Sequence, residues 1–449
     1  MFESNLLGSV GFALAEANLV WPLLASCLAF LIPAGFTLLA SGAMPEKKAV
    51  PTAMMGLAAT SMALLGYLVC GFALEFGGIG LVWDLPGLEG LIWEWSPLDV
   101  TWGTGWGALG LKGFFLQKGT DTPLAYALFF SHLPLVITAS LIPLLTLRKR
   151  IRPSALMLGA FLIAAVIYPV IGNWVWGGGW LANLGLNLDL GHGFVDFTGS
   201  GMVHLLGGVT ALAGILAFGH RSDKTEEPAQ MPPVHLPLLA ILGSLLLPIG
   251  WLGLVLSNPL YASDHALPAS LMAVNIILAA GAGALAAMLY AWFTTSEANV
   301  LMGARGLAAG LVAISAACPF VPPWAALVIG AAAGFLLPLG IYFVEHLLRL
   351  DDPAAAIATN ALSGLWGLLA LAIFADGRYG AGWNRIGPED YLGITGQGVS
   401  GYFVGPGFQP DFPNQLYAQL IGMAAITIFT FILTWVFFKI LYLIVGTEP

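Results

Sequence analysis

Few side chains of this sequence could take part in chemistry, and those few lie among long apolar stretches. His204 lies within GMVHLLGGVTALAGILAF, where glycines and other small residues surround it, and Asp196 begins the same predicted helix. A neutral imidazole both donates and accepts hydrogen bonds, and its unperturbed pKa of about 6.5 is close to working pH. His204 could therefore pair with a neighbouring helix, or it could guide a polar solute or a proton.

The composition shows in what medium these side chains must lie. Of the 449 residues, 58% are hydrophobic and only 9% are charged, whereas a soluble domain has roughly 25% charged residues. A soluble protein is thereby excluded. Inside hydrocarbon an ionisable side chain costs roughly 2.5–3.5 kcal/mol on insertion scales, so His204 needs a partner or a function. No nucleotide loop, metal cluster or nucleophile–base pair is visible in the sequence, so an enzyme is the least expected class and no cofactor is predicted.

Eleven apolar runs position these side chains, each near the length of about 20 residues that a helix needs to cross hydrocarbon. Continuous runs such as 323–345 exclude the short alternating strands of an outer-membrane barrel. We therefore predict a single all-α integral membrane domain over residues 1–449. The predicted spans are 17–41, 50–75, 123–147, 154–175, 196–219, 235–257, 267–294, 299–318, 323–345, 354–375 and 414–446.

Lysine and arginine are distributed unequally between the two ends of these spans. Placing the loop after the first span in the cytoplasm puts eleven of the fifteen basic residues at the inner side. The positive-inside rule then predicts an outer N-terminus and an inner C-terminus in the plasma (cytoplasmic) membrane. The inner residues are Lys47, Lys48, Arg148, Lys149, Arg150, Arg152, Arg221, Lys224, Arg305, Arg349 and Lys439, and the outer ones are Lys112, Lys118, Arg378 and Arg385.

Two long loops, 76–122 and 376–413, fall on the predicted outer side and are rich in aromatic residues. One interpretation is an aromatic belt at the membrane interface with solvated acids between its members. The alternative is a vestibule that attracts cations, or a surface that touches a neighbouring subunit. The formal charge of −9 includes no basic patch for nucleic acid. Cys27, Cys70 and Cys318 lie apart in apolar surroundings and are expected to be packing residues.

Several blocks of the sequence together resemble the ammonium transporter family (Amt/Mep/Rh). In the first block an Asp-aromatic-small-Gly opening leads to a central His, paired glycines and a terminal Gly-x-Arg. The other blocks follow in the order of the family and extend the resemblance from about residue 18 to 446. The blocks are DFTGSGMVHLLGGVTALAGILAFGHR (196–221), RIRPSA (150–155), NWVWGGGWLA (173–182), GWLGLVLSNP (250–259), DDPAAAIATNALSGLWG (351–367) and QLYAQLIG (415–422).

The resemblance implies a fold and a mechanism that can be tested against the structure. The family fold has eleven helices, in two inverted five-helix halves with the eleventh helix outside, and it assembles as a homotrimer with one pore per subunit. Ammonium is recruited at an outer aromatic site, loses a proton, and crosses as ammonia past two pore histidines. By this resemblance Trp176 and Asp196 belong to the recruitment site, and His204 is the first pore histidine.

Four pore positions depart from the family pattern. Asn360 stands where the second pore histidine is usual, and a carboxamide cannot exchange a proton near neutral pH. Leu135 and Leu254 replace the paired gate phenylalanines, and Asn258 replaces the serine of the recruitment site. His132, next to Ser131, adds an ionisable group near the outer mouth or the first gate. These changes predict an altered function on a retained scaffold.

Three functions remain open on the sequence. The first is a channel or transporter for ammonium or ammonia, in which His204 contacts Asn360 and transport is electroneutral. The second is a transport-silent ammonium sensor or accessory subunit with a closed pore, whose regulatory or signalling partner is unknown. The third is a pore for another small neutral solute, such as carbon dioxide or methylamine. The N-terminus has no clear pattern of a cleaved signal peptide, and the sequence leaves open whether a regulatory tail or a signalling domain follows Pro449.

Overall fold

The computed structural model describes residues 18–117, 119–148, 150–219, 235–262, 267–297 and 299–445. Eleven long helices account for most of them. Ten are long and apolar enough to cross a membrane, and α8 is shorter at 15 residues. The helices are α1 Asn18–Gly42, α2 Glu46–Leu81, α3 Pro123–Leu147, α4 Pro153–Val175, α5 Ser200–Phe218, α6 His235–Leu254, α7 Ala269–Thr295, α8 Val300–Ile314, α9 Pro323–Leu347, α10 Ile357–Phe374 and α11 Asn414–Ile444.

The apolar runs form helices because hydrocarbon offers no partner for an exposed peptide group, whereas a helix satisfies its own. Local signals set several starts: the Thr122 hydroxyl accepts from Ala125 N before Pro123, and the Asn299 side chain accepts from Met302 N. Large apolar side chains remain exposed on the outer faces of the bundle, for example Leu57 at 71% and Phe293 at 81%. These faces contact lipid in a multi-pass membrane protein.

The predicted helical fold is confirmed, with differences at the helix ends. α2 runs from Glu46 to Leu81 instead of 50–75, because polar Glu46 begins the helix and a 3-10 turn extends its far end. α5 begins at Ser200, four residues later than predicted. The expectations about the signal peptide and the tail concern residues 1–17 and 446–449, which lie outside the described residues, as do Lys118, Lys149, Arg221 and Lys224.

Short elements fill the connections on one side of the bundle, which we call the loop side. Among the described residues it carries 82–117, 119–122, 176–199, 255–262, 267–268, 315–322 and 375–413. Strands β1 Glu94–Trp95 and β2 Leu109–Gly110 pair antiparallel there, as do β3 Asp390–Tyr391 and β4 Ile394–Thr395. Short helices and 3-10 turns cover Asp99–Trp102, Phe114–Leu116, Leu184–Leu188, Pro259–Ala262 and Trp383–Arg385. The opposite end, which we call the basic side, includes Lys47, Lys48, Arg148, Arg150, Arg152 and Arg349.

Glycines let neighbouring helices of the bundle approach closely. A Cβ atom on Gly243 of α6 would lie 2.6 Å from Gly35 O of α1, and one on Gly306 of α8 would lie 2.6 Å from Gly283 O of α7. Small residues at helix interfaces of this kind allow backbones to approach where lipid supplies no hydrophobic driving force. α11 packs along α5 and also contacts α10.

Two helices in the middle of the bundle share a local design. α5 begins with a π-helical segment, Ser200–Leu205, and α10 begins with another, Ile357–Leu362. Each contains one of the predicted pore residues, His204 or Asn360. Such π-helical turns occur frequently at functional sites.

A buried aspartate caps each of the two π-helical segments. Asp196 accepts hydrogen bonds from the backbone N–H of Gly199, Gly201 and Met202 at 2.8–3.1 Å. Asp352 accepts from Ala356 N at 3.0 Å and from Ile357 N at 2.8 Å. The same device thus starts both helices that carry the pore residues.

Candidate functional site

Three cavities lie along the predicted path between the two sides. The first, on the loop side, has a volume of about 390 Å³, and we call it the vestibule. The other two cavities have volumes of about 20 Å³ each. We call the one next to the vestibule the middle cavity and the one toward the opposite end the basic-side cavity. Trp176 and Tyr261 line both the vestibule and the middle cavity, so these two spaces are neighbours.

Aromatic rings from distant parts of the chain form the vestibule. Trp83, Trp176, Tyr261 and Trp383 all line it. The ring centroids of Tyr261 and Trp383 are 5.1 Å apart, and those of Trp83 and Tyr261 are 6.1 Å apart. Asn183, Asn384 and Arg385 add polar groups, with Arg385 Nη2 donating to Asn183 Oδ1 at 2.6 Å. Faces of Trp and Tyr rings attract cations, so the aromatic part of this space can hold a small cation. The Arg385 guanidinium adds a positive charge to another part of the same lining.

Trp176 and Asp196, predicted as a recruitment pair, are in direct contact. Trp176 Nε1 donates to the backbone carbonyl of Asp196 at 2.7 Å, which fixes the indole against α5. The Asp196 carboxylate does not line the vestibule or the middle cavity, because both of its oxygens accept N–H groups of the cap. Burial raises the pKa of Asp196 to about 6, although the capping N–H groups favour the charged form. The backbone carbonyl of Asp196 therefore fixes the position of Trp176, while its carboxylate is engaged in the cap.

The middle cavity contains the remaining residues predicted near the recruitment site and the gate. Its lining includes His132, Leu135, Leu254 and Asn258, together with Trp176. The two leucines, where the resemblance places gate phenylalanines, are buried at 6% and 4% exposure. The cavity that they help to line has room for only about 20 Å³.

His132 and Asn258 are each already hydrogen bonded locally. His132 Nδ1 lies 3.0 Å from Leu128 O, and its ring centroid is 5.7 Å from that of Trp176. Asn258 Oδ1 accepts from Leu260 N at 2.9 Å. His132 thus stands beside Trp176, whereas the side-chain carbonyl of Asn258 accepts a hydrogen bond within its own turn.

His204 and Asn360 meet in the middle of the bundle. His204 Nδ1 is 2.9 Å from Asn360 Oδ1, and Asn360 Nδ2 donates to Ala356 O at 3.2 Å. With this orientation of the amide, Nδ1 carries the proton and Nε2 keeps its lone pair. The His204 ring stacks on Trp251, with centroids 5.5 Å apart and an angle of 13°, and Phe36 lies 5.9 Å away. The contact that the sequence predicts is present.

The basic-side cavity begins at this pair. Phe36, Thr359 and Asn360 line it together with apolar side chains of α1 and α3. Arg305 of α8 also lines it and donates from Nη2 to Pro353 O at 3.0 Å. The Thr359 hydroxyl is buried and has no hydrogen-bond partner among the described residues, so it is free to meet a small polar solute.

Several lining residues were not predicted from the sequence. Phe36 and Trp251 enclose His204, and Trp251 Nε1 donates to Ser315 Oγ at 2.8 Å. Trp251 lies in the GWLGLVLSNP block, which could have signalled its role. From the sequence, Arg305 was predicted only as one of the basic residues at the inner side. No group of three metal-ligating side chains exists in the part of the chain that the structure describes.

Comparison with known proteins supports the geometry. A family model described as "Ammonium Transporter Family" matches residues 20–448. The ammonium transporter Amt2 of Archaeoglobus fulgidus is 35% identical over 81% of this chain and 72% of its own length. The ammonium transporter of Bacillus subtilis is 27% identical over 97% of this chain and 92% of its own length. A solved "Sensor Amt Protein" superimposes with a TM-score of 0.75 at 27% identity, covering 96% of this chain and 94% of that one.

Proposed function

This chain belongs to the ammonium transporter family, and we propose that it recruits ammonium at the loop side and passes ammonia through the bundle to the basic side. It is a membrane transport protein rather than an enzyme. In this proposal the loop side and the N-terminus face outward, the basic side and the C-terminus face the cytoplasm, and three copies form a homotrimer in the plasma (cytoplasmic) membrane. The unequal distribution of basic residues supports the orientation.

The observation that carries the proposal is the order in which the environments change along the three cavities. An aromatic vestibule leads through Trp176 into a narrow space between Leu135 and Leu254, and His204 with Asn360 lies beyond. Moving an isolated cation into such apolar surroundings costs on the order of tens of kcal/mol. Ammonium is therefore expected to give its proton to water on the loop side of the vestibule, so that neutral ammonia enters the middle cavity.

The polar pair then offers ammonia a partner without carrying charge. His204 Nε2 can accept an N–H of ammonia because Nδ1 is committed to Asn360. A second histidine could accept a proton from the first, but the Asn360 carboxamide cannot near neutral pH. We therefore propose that no proton follows ammonia along this pair, and that transport is electroneutral.

Proteoliposomes bearing the purified protein test this function. An inward ammonium gradient should raise the internal pH reported by an entrapped dye faster than in empty vesicles, while a supported-membrane electrode records no ammonium-evoked current. His204→Ala and Trp176→Leu should slow the pH change. If the internal pH of protein-bearing and empty vesicles changes equally and no current appears, transport is refuted.

A sensor is the second candidate, and it is supported by the likeness to the solved "Sensor Amt Protein" and by the narrow middle and basic-side cavities. In this case ammonium would bind in the vestibule and the pore would stay shut. Titration of ammonium into the detergent-solubilised protein, followed by tryptophan fluorescence, should then show saturable binding that Trp176→Leu weakens. Binding without any flux in the vesicle assay would favour the sensor over the transporter.

A further inference from the structure

Arg305 occupies an unusual place for a permanently charged side chain. It projects from α8 into the lining of the basic-side cavity, close to where Asn360 and Thr359 line the same space. Among the described residues that line this cavity, Arg305 is the only one that carries a charge. An arginine stays protonated in proteins, so the charge is present at every physiological pH.

Among the described residues, no carboxylate forms an ion pair with Arg305. The described ion pairs of the chain, Arg150 with Asp351 and Arg378 with Asp376, do not include Arg305. Asp352 and Glu345 are near enough to act on Arg305 electrostatically. Neither of them lines the cavity.

The Asp352 carboxylate does not line the basic-side cavity and is engaged in hydrogen bonds. Its oxygens accept from the Thr146 hydroxyl at 2.6 Å, from Ala356 N at 3.0 Å and from Ile357 N at 2.8 Å. Glu345 belongs to an exposed part of α9. A solute in the basic-side cavity therefore meets the guanidinium of Arg305 and no carboxylate.

A charge in this position affects cations and neutral solutes differently. Two like unit charges about 4 Å apart at an effective dielectric near 20 lower cation occupancy by about a thousandfold. Ammonia carries no net charge, and it can exchange hydrogen bonds with Thr359 and Asn360 on its way. Fixed arginines exclude cations in other narrow pores by the same electrostatic effect.

We propose that Arg305 is a charge filter at the basic-side end of the passage, which excludes ammonium, protons and alkali cations while ammonia passes. The inference rests on the proposed transport function and adds to it. Electroneutrality then has two barriers in series, because Asn360 cannot relay a proton and Arg305 repels any cation beyond it. Removing one barrier should leave the other intact.

A four-way comparison separates the two barriers. The proteins are the parent, Asn360→His, Arg305→Gln and the double variant, each in vesicles with an internal pH dye and on a supported membrane. Asn360→His places a second titratable ring beside His204, and Arg305→Gln removes the charge while keeping a donor for Pro353 O. The filter predicts that the dye reports flux for all four proteins. It also predicts that only the double variant carries an ammonium-evoked current, at least about tenfold larger than the current of Asn360→His.

A charge-preserving variant serves as the matched control. Asn360→His combined with Arg305→Lys should stay electrically silent, since the positive charge remains. Asn360→His combined with Arg378→Gln should also stay silent, because Arg378 lies on the loop side and is 53% exposed. Equal melting temperatures in detergent would show that the variants are folded.

Each outcome bears on a different statement. A current in Asn360→His as large as in the double variant would overturn the filter and leave transport standing. The same holds if the double variant transports ammonia but carries no current. Absence of dye-reported flux from the parent and every variant would instead refute the proposed transport function, and with it the inference.

Discussion

His204 Nδ1 and Asn360 Oδ1 lie 2.9 Å apart, and each residue stands eight positions after the buried aspartate that caps its π-helical segment. The pair joins α5 to α10 at the centre of the bundle, where His204 is 2% exposed and Asn360 is 4% exposed. A polar contact at this depth holds two helices together and also offers a passing solute a hydrogen-bonding site. Its two roles can be separated by experiment.

Because the contact between His204 and Asn360 joins two helices, removing either side chain should lower the free energy of unfolding, and the two losses should not be independent. His204→Leu or Asn360→Leu leaves one polar partner without the other, and we expect each to lower the free energy of unfolding by about 0.6–2 kcal/mol. The double variant should lose less than the sum, with a coupling of about 1 kcal/mol. Unfolding by SDS in mixed micelles measures all four proteins. Strict additivity would mean that the observed contact contributes nothing to stability.

If Trp176 recruits ammonium, as we propose, removing its ring should raise the ammonium concentration that is needed for half-maximal flux. A desolvated cation–π contact contributes about 0.5–2 kcal/mol, so Trp176→Leu should raise the ammonium concentration for half-maximal flux about two- to thirtyfold. Stopped-flow dye measurements over a range of ammonium concentrations give this value. Trp102→Leu is the control, because Trp102 lies on the loop side at 61% exposure and does not line the vestibule. An unchanged half-saturation in Trp176→Leu would remove this tryptophan from the site.

The raised pKa of Asp196 predicts that recruitment depends on pH. With a pKa of about 6, its ionised share falls from about nine-tenths at pH 7 to about one-tenth at pH 5. Ammonium remains protonated throughout, so a weaker attraction near pH 5 would come from the protein. We expect the half-saturating ammonium concentration to rise severalfold between these pH values.

A conservative substitution isolates the contribution of Asp196. Asp196→Asn keeps an oxygen for the cap but removes the charge, so its half-saturation should already be high at pH 7 and should change little toward pH 5. Melting curves in detergent establish that the variant folds. A parent and a variant with parallel pH profiles would assign the pH dependence to another group.

His192, on the loop side, predicts a loss of stability in mild acid. Its ring is fully buried against Tyr391, with centroids 4.6 Å apart, and its nitrogens have no hydrogen-bond partner among the described residues. Burial lowers its pKa from 6.5 to about 3. The unfolded chain thus binds a proton near pH 6.5, whereas the folded protein binds it only near pH 3. The stabilisation is complete above pH 6.5 and is lost as the pH falls between these values.

The size of this effect is measurable by thermal unfolding. At pH 5 the loss amounts to about 2 kcal/mol. His192→Phe fills a similar volume without a titratable group, so its melting temperature should fall less between pH 7 and pH 5 than that of the parent. His346→Gln, at an exposed histidine on the basic side, should behave like the parent. Identical declines in the parent and His192→Phe would contradict the assignment.

The sequence by itself determined the membrane class, the number of helices and the central polar pair. Length and apolarity of a span are local properties, and a helix in lipid satisfies its own backbone, so spans can be read from the chain alone. The sequence blocks that contain His204 and Asn360 align with blocks of the family pattern. Their contact could therefore be predicted from the positions of the two residues within these blocks.

Tertiary structure decided what surrounds that pair. The vestibule joins Trp83, Tyr261 and Trp383, and the basic-side cavity joins Phe36 to Arg305. The sequence did not show that the Asp196 carboxylate accepts hydrogen bonds from backbone N–H groups, or that Trp251 stacks on His204. A cavity wall is made of whichever faces meet when segments hundreds of residues apart pack together. Only the packed bundle therefore shows which charge, ring or hydroxyl a solute would meet.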